Sequence, residues 1–218
     1  MGGEHSIHIA RVPARPAGGE STSDHKKMKN FDYMRTHGPW KIKESIEKYK
    51  NKWIAVTEHQ VIRPDGKDGI FGIVEMIAGV SVLPMDSDRT VYLTKEFRFA
   101  INRESIESVS GGIDKNEDVL TAAKRELQEE LGITASEWVP LGSVDPFTSV
   151  VNCPSALFLA RELVVGGSAL PEGTEQIELI KMPFQEVLNM VMTGAITHGP
   201  TCVLILKANE YLKNEKSK

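Results

Sequence analysis

Between Gly111 and Ile133 the chain reads GGIDKNEDVLTAAKRELQEELGI, a segment marked as a helix at both ends. Asn116 is a natural N-cap, and Glu117 and Asp118 put negative charge where the helix macrodipole favours it. Gly132 is a natural stop. These signals predict a helix from about Glu117 to Leu131. At about 100° per residue, Leu120, Ala123, Leu127 and Leu131 form one stripe that can lie on a sheet. Glu126, Glu129 and Glu130 stand at i, i+3 and i+4, so their carboxylates converge on a neighbouring face, and like charges at that spacing oppose the helix. A divalent cation with a preference for oxygen donors would turn that repulsion into ligation. A solvated acidic face is the competing account, and three glutamates alone do not decide between them.

The rest of the chain narrows the fold. At 218 residues, one domain of ordinary size with an extension is expected. Apolar residues at 40% suffice for a sizeable core, and 26 basic against 30 acidic residues give a net charge of −4. That balance argues against a general nucleic-acid binder, which shows a basic footprint. Cys153 and Cys202 have neither CxxC spacing nor a disulfide framework and fit reduced thiols. With no apolar run of membrane-spanning length and no apolar signal segment, the expectation is a cytoplasmic protein with no membrane partner.

The first 28 or so residues, with Pro-Ala-Arg-Pro-Ala-Gly-Gly and Ser-Thr-Ser-Asp, read as a flexible leader. Ile42, Ile46 and Tyr49 fit one side of a short helix or a turn. Strand-like pieces follow at 52–56, 60–62, 70–75, 79–83, 90–94 and 106–109, with turns at Pro64-Asp65-Gly66 and Asp86-Ser87-Asp88. Beyond the helix, 138–144, 155–163 and 176–181 read as strands. Phe184, Val187, Leu188 and Val191 have helical spacing, stopping near Gly194, and a last helix is expected from about Thr201 to Leu212. Strands around a central helix, with helices at the C-terminus, suggest an α/β/α sandwich on a mixed sheet with a β-rich N-terminal extension.

Gly111, five residues, Glu117, seven residues, then Arg125-Glu126-Leu127-x-Glu129-Glu130-x-Gly132-Ile133 resembles the Nudix box at every defined position. The resemblance implies hydrolysis of nucleoside diphosphates linked to another moiety, with Mg²⁺ or Mn²⁺ as cofactor. Carried over by position, Glu126, Glu129 and Glu130 would be metal ligands, joined by the backbone carbonyl of Ser110. Glu117 and Arg125 look like residues that orient the loop and helix, and Gly111 would let the loop turn. Arg125, Glu129 and Glu175 form the candidate catalytic set.

From Asn51 to Leu212 the chain further resembles the ADP-ribose and nucleotide-sugar pyrophosphatase branch. The resemblance rests on Asn51-Lys52-Trp53-Ile54, Arg63-Pro64-Asp65-Gly66, Phe97-Arg98, Glu107-Ser108-Val109-Ser110-Gly111 and Gly194-Ala195-Ile196-Thr197. That branch usually carries Pro-Ala-Gly or Pro-Glu-Gly where this chain has Val109-Ser110-Gly111, and Pro146 falls near its downstream proline. The match implies that Arg98 reaches the diphosphate, which suits a planar cation with several donors. It also implies that Glu107 holds the loop or contacts substrate, that Trp53 stacks on the base, and that Glu175, with Glu172 as competitor, activates water or binds another metal. For Arg98 a surface position, for Trp53 a core position and for Glu175 plain solvation are the competing accounts. The implied organisation is a leader over 1–40 and a Nudix domain over 41–218, whose portion from about 50 to 78 helps form a homodimer. The implied partner is a nucleoside diphosphate sugar, cleaved to a nucleoside monophosphate and a sugar phosphate. Rival activities are cleavage of a dinucleoside polyphosphate or an oxidised nucleotide, the former weakened by the lack of a tyrosine in the loop after the box. A non-catalytic nucleotide-sugar sensor is a further alternative, disfavoured by the intact box carboxylates.

Overall fold

A computed structural model describes residues 34–169 and 176–215. In chain order the elements are β1 (Arg35–His37), β2 (Trp40–Lys50), β3 (Ile54–Ile62), β4 (Asp68–Met76), β5 (Gly79–Pro84), β6 (Thr90–Arg98), β7 (Arg103–Glu107) and β8 (Val109–Gly112). They continue with α1 (Val119–Leu131), β9 (Ile133–Val144), β10 (Val151–Asn152), β11 (Ser155–Val165), β12 (Glu178–Pro183), α2 (Phe184–Met192) and α3 (Gly199–Glu215).

Two compact units divide at Glu75 and Met76. In the first, β1, β2, β3 and β4 lie side by side in that order. The helix or turn expected at 41–50 is instead the 11-residue strand β2, paired antiparallel with β1 and β3. An offset of four residues returns a side chain to the same face in both a helix and a strand, so Ile42 and Ile46 fitted either element. Within the strand itself the pairing has register irregularities between Ile42 and Glu44 and between Glu47 and Tyr49, so simple alternation is broken on both sides of Ile46. The hairpin begins at Arg35, inside the span expected as leader.

The second unit is an α/β/α sandwich. One sheet has the order β8-β5-β11-β9, with β5 and β11 parallel and the other pairs antiparallel. A second sheet, β12-β6-β7, is antiparallel throughout. The strands bury both faces, as strands covered on two sides must. Along β6 and β11, Val91, Leu93, Leu157 and Leu159 enter a core with Phe184 and Val187 of α2 and Leu204, Ile205, Ala208 and Leu212 of α3. The alternate residues Tyr92, Phe158 and Ala160 join Val80 and Val82 against Ala122, Ala123, Leu127 and Leu131 of α1. A fully buried leucine such as Leu127 contributes about 1.5–3 kcal/mol through removal from water. That is why the apolar stripe of α1, and not its acidic face, is turned inward.

The single strand expected at 106–109 is two strands. β7 belongs to the three-stranded sheet and β8 to the four-stranded one, with Ser108 between them. The backbone N–H of Ser108 leaves both ladders and donates to Thr201 Oγ1 in α3 at 2.9 Å.

Candidate active site

Helix α1 starts two residues later than its sequence suggests. Asp118 is the N-cap, its carboxylate accepting from the N–H groups of Leu120 (3.1 Å) and Thr121 (3.2 Å). Asn116 takes a left-handed turn conformation, φ +68°, which asparagine tolerates better than most residues. The end is as expected. Gly132 is left-handed (φ +61°), and its N–H returns to the carbonyls of Gln128 and Leu127. A Cβ there would collide with the Gly167 carbonyl, while Gly167 N–H donates to Gly132 O at 2.9 Å.

The later start frees Glu117 to act as a partner for the helix. Its carboxylate accepts from Arg125 Nε and Nη2, both at 2.9 Å, and from the backbone N–H of Asp114, also at 2.9 Å. Arg125 donates further to Glu126 Oε1 at 2.7 Å, Glu129 Oε2 at 3.0 Å and the Gly112 carbonyl at 2.8 Å. One guanidinium therefore ties the loop after β8 to three carboxylates. Hydrogen bonds to Glu117 above all, with those to Glu126 and Glu129, raise the Arg125 pKa despite partial burial. The same bonds hold Glu117 below the ordinary carboxylate value. Glu126 lies against the loop backbone, since a Cβ at Gly111 would collide with its carboxylate. Gly111, expected to let the loop turn, instead lies within strand β8 and is required for this close approach.

Ser110 lies opposite Ser81 in the β5–β8 ladder. Its hydroxyl donates to Ser108 O at 2.9 Å and sits 3.2 Å from Ser81 Oγ, which lies 3.1 Å from Ser155 Oγ. The buried hydroxyls fix the strand that delivers the Ser110–Gly111 backbone.

A second arginine cluster stands beside the first. Arg98, at the end of β6, donates from Nε and Nη2 to Glu107 Oε1 and Oε2, at 3.2 and 2.7 Å. Its Nη1 is 2.8 Å from Glu96 Oε2. Burial works against its charge, but Glu107 and Glu96 outweigh it, and Glu130 of α1 adds in the same direction. Glu107 is 4% exposed. Burial pushes its pKa up, yet Arg98, the charge of His198 and Ser105 leave it below the usual value. His198, just ahead of α3, places Nδ1 3.4 Å from Glu107 Oε2 and 2.8 Å from Thr201 Oγ1. Sequence reasoning missed His198 and Thr201. They lie 91 and 94 residues from Glu107, and no local pattern joins them.

The remaining expected site residues fall elsewhere. Trp53 precedes β3 instead of lying within it and is 58% exposed, so a core position does not apply. Asn51 Oδ1 accepts from the N–H groups of Trp53 and Ile54, both at 2.8 Å, forming the turn that displaces it, and Lys52 Nζ lies 4.2 Å from its ring centroid. Glu172 and Glu175 lie outside the described residues. Among the described residues, no group of three or more His, Cys, Asp or Glu side chains is gathered to hold a metal, no helix is long and apolar enough to cross a membrane, and no buried side-chain polar atom lacks a partner.

Residues 76–200 match the NUDIX domain model, and residues 40–74 match the model of the nucleoside diphosphate sugar hydrolase N-terminal domain. An ADP-ribose pyrophosphatase of Bacillus subtilis is 27% identical over 80% of this chain and 95% of its own length. A GDP-mannose pyrophosphatase of Escherichia coli K12 is 26% identical over 54% of this chain and 65% of its own. A crystal structure of an ADP compounds hydrolase superposes with a TM-score of 0.72 at 16% identity, covering 83% of this chain and 98% of that one. The chain belongs to the Nudix family, with the fold and the helix of a Nudix pyrophosphohydrolase. Within that family it falls in the branch of ADP-ribose and nucleoside diphosphate sugar pyrophosphatases, whose characteristic N-terminal unit it carries.

Proposed function

We propose that this chain is a divalent-metal-dependent hydrolase that cleaves the pyrophosphate bond of ADP-ribose or a related nucleoside diphosphate sugar. The products are a nucleoside monophosphate and a sugar phosphate. The observation that carries the reading is the box helix, with Glu126 seated against Gly111 and Arg125 clamping the loop to Glu117, Glu126 and Glu129.

The donor set suits Mg²⁺ or Mn²⁺. Glu126, Glu129, Glu130 and the Ser110 carbonyl offer oxygens alone, the ligands hard cations prefer. The carboxylates are presented along α1 instead of forming a preassembled cage. When bound, such a metal neutralises diphosphate charge and lowers the pKa of an attacking water. Arg98 binds the diphosphate oxygens. A guanidinium has five N–H groups, and the contacts to Glu107 and Glu96 do not exhaust them. Arg125 holds the loop and helix in register, and Glu175 or a box glutamate takes the proton from water. The exposed Trp53 stacks on the nucleobase. The protein works as a homodimer to which the first unit contributes.

A screen of ADP-ribose, ADP-glucose, GDP-mannose, UDP-sugars, NADH and diadenosine polyphosphates with Mg²⁺, products identified by mass, tests the reading. AMP and ribose 5-phosphate from ADP-ribose, lost with EDTA, is the expected result. Binding without cleavage of any of these compounds would replace it with a sensor.

A further inference from the structure

Resting on the reading that Arg98 binds the diphosphate, we infer that His198 is a positioning residue for this reaction: wedged between Thr201 and Glu107, it fixes the carboxylate that orients Arg98. Arg98 is the last residue of β6, and a long side chain at a strand end has rotamer freedom that binding would otherwise have to remove. Glu107 removes it beforehand by taking Nε and Nη2 on its two oxygens. Ser105 adds a further side-chain hydrogen bond to Glu107, and the rest of the restraint on its terminal torsion, which is otherwise broad and soft, comes from packing. His198 closes the other side, with Nδ1 3.4 Å from Oε2, the same oxygen that accepts from Arg98 Nη2 at 2.7 Å.

His198 is itself locked. Its carbonyl accepts from Cys202 N–H at 2.9 Å in the first turn of α3, and Nδ1 lies 2.8 Å from the hydroxyl of fully buried Thr201. Thr201 Oγ1 accepts from Ser108 N–H at 2.9 Å and lies 3.0 Å from Ser108 Oγ. These contacts select a tautomer. A bare Nδ1 lone pair would face the Glu107 carboxylate, acceptor against acceptor, so the proton sits on Nδ1. Thr201 then accepts from His198 and from Ser108 N–H and donates to Ser108 Oγ. Burial first, with the Arg98 charge, keeps the ring neutral more strongly than Glu107 favours its cation. The ring thus faces Glu107 as a neutral group, 3.4 Å from Oε2 and with its one Nδ1 proton directed to Thr201, and does not compete with Arg98 for the carboxylate as a second cation would. Ser108 also separates β7 from β8, so the contacts that seat His198 reach the strand carrying Ser110 and Gly111.

The test compares His198→Phe, His198→Ala and His198→Asn, the last keeping a donor near the Nδ1 position. Two readouts are independent of turnover. In ¹⁵N NMR of the wild type, His198 should show a protonated Nδ1 and a bare Nε2. The Arg98 Nε–H, assigned with Arg98→Lys, should exchange with solvent about tenfold faster in the Phe or Ala variant and return toward wild type in the Asn variant. The kinetic readout uses ADP-ribose with Mg²⁺. Here kcat/KM should fall about tenfold in the Phe or Ala variant, recover in the Asn variant, and show no further loss when Phe or Ala is added to Arg98→Lys. Unchanged Arg98 exchange, or a full tenfold loss persisting on the Arg98→Lys background, overturns the inference. If the wild type cleaves no nucleoside diphosphate sugar, the proposed function falls, while the NMR arm still decides whether His198 positions Arg98.

Discussion

Two arginines sit at the centres of two carboxylate clusters, and the clusters are built in opposite ways. Arg125 gathers Glu117, Glu126, Glu129 and the Gly112 carbonyl from a span of 18 residues. Its acceptors are one helical turn apart, in the loop that enters the helix, or at the end of β8. Arg98 gathers Glu96 and Glu107 from a still shorter span of 12 residues in β6 and β7, but Glu107 is backed by His198 ahead of α3, 91 residues further on. The first is partly open to solvent and rests on helix spacing. The second encloses a carboxylate that is 4% exposed and rests on the docking of α3 against the sheets. Both arginines take acceptors close to them in the chain, whereas the backing of Glu107 by His198 exists only in the folded unit.

The largest effect should come from the box carboxylates. With Glu129 and Glu130 as the proposed metal ligands, Glu129→Gln or Glu130→Gln should cut kcat by at least about 100-fold, because the carboxylate charge is lost while shape is kept. A thermal melt within a few degrees of wild type would show that the fold is intact, and near-normal turnover would remove the metal assignment. Next comes a pair of neighbours. Gly111→Ala drives a methyl into the Glu126 carboxylate and should lower kcat/KM by roughly 10- to 100-fold. Gly112→Ala, whose Cβ would meet Ile77 Cγ2 at an ordinary 3.4 Å, should stay within about threefold of wild type. Equal losses would mean that the loop is sensitive as a whole and not at the Glu126 contact.

Arg125→Lys keeps the charge but loses the fork that spans Glu117 and the helix carboxylates. A urea titration should give a loss of about 1–2 kcal/mol, kept low because solvent reaches these groups. That loss should shrink in high salt.

Acid should act on the buried cluster. His198 titrates below its ordinary 6.5 in the folded chain, so the unfolded chain takes up that proton first. Its contribution to stability is full above pH 6.5 and is lost as pH falls through the lower folded value. Glu107, also lowered, acts with the same sign further down, from its ordinary 4.5. Urea midpoints at pH 7.5 and 5.5 should therefore drop less in His198→Asn than in wild type. The smallest effect is expected at Trp53, whose exposed ring can be removed in Trp53→Ala for less than about 0.5 kcal/mol. A rise in KM for the substrate with unchanged stability would assign the ring to the base, and an unchanged KM would return it to the surface.

The strand and helix sequence of the second unit was legible because hydrophobic period and turn residues act over a few neighbours. Gly132 as the end of α1 followed from its conformational freedom alone. The start of the helix did not, because Asn116, Glu117 and Asp118 are each competent near a helix N-terminus. Asp118 caps, Asn116 turns left-handed, and Glu117 is drawn off by Arg125. Strand β2 was misread because a four-residue offset carries the same information in both periods. The turn made by Asn51 was also missed, and with it the exposure of Trp53.

By itself the sequence determined the box helix, its acidic face and the α/β class, which follow from periodicity, caps and turn residues acting over a few neighbours. Tertiary structure alone decided that Ser108 ends one sheet and begins another, that Thr201 receives its N–H, and that His198 closes the buried side of Glu107. The physical reason is distance along the chain. Groups about ninety residues apart meet only after the sheets and α3 have buried their apolar faces, and no periodicity encodes that meeting.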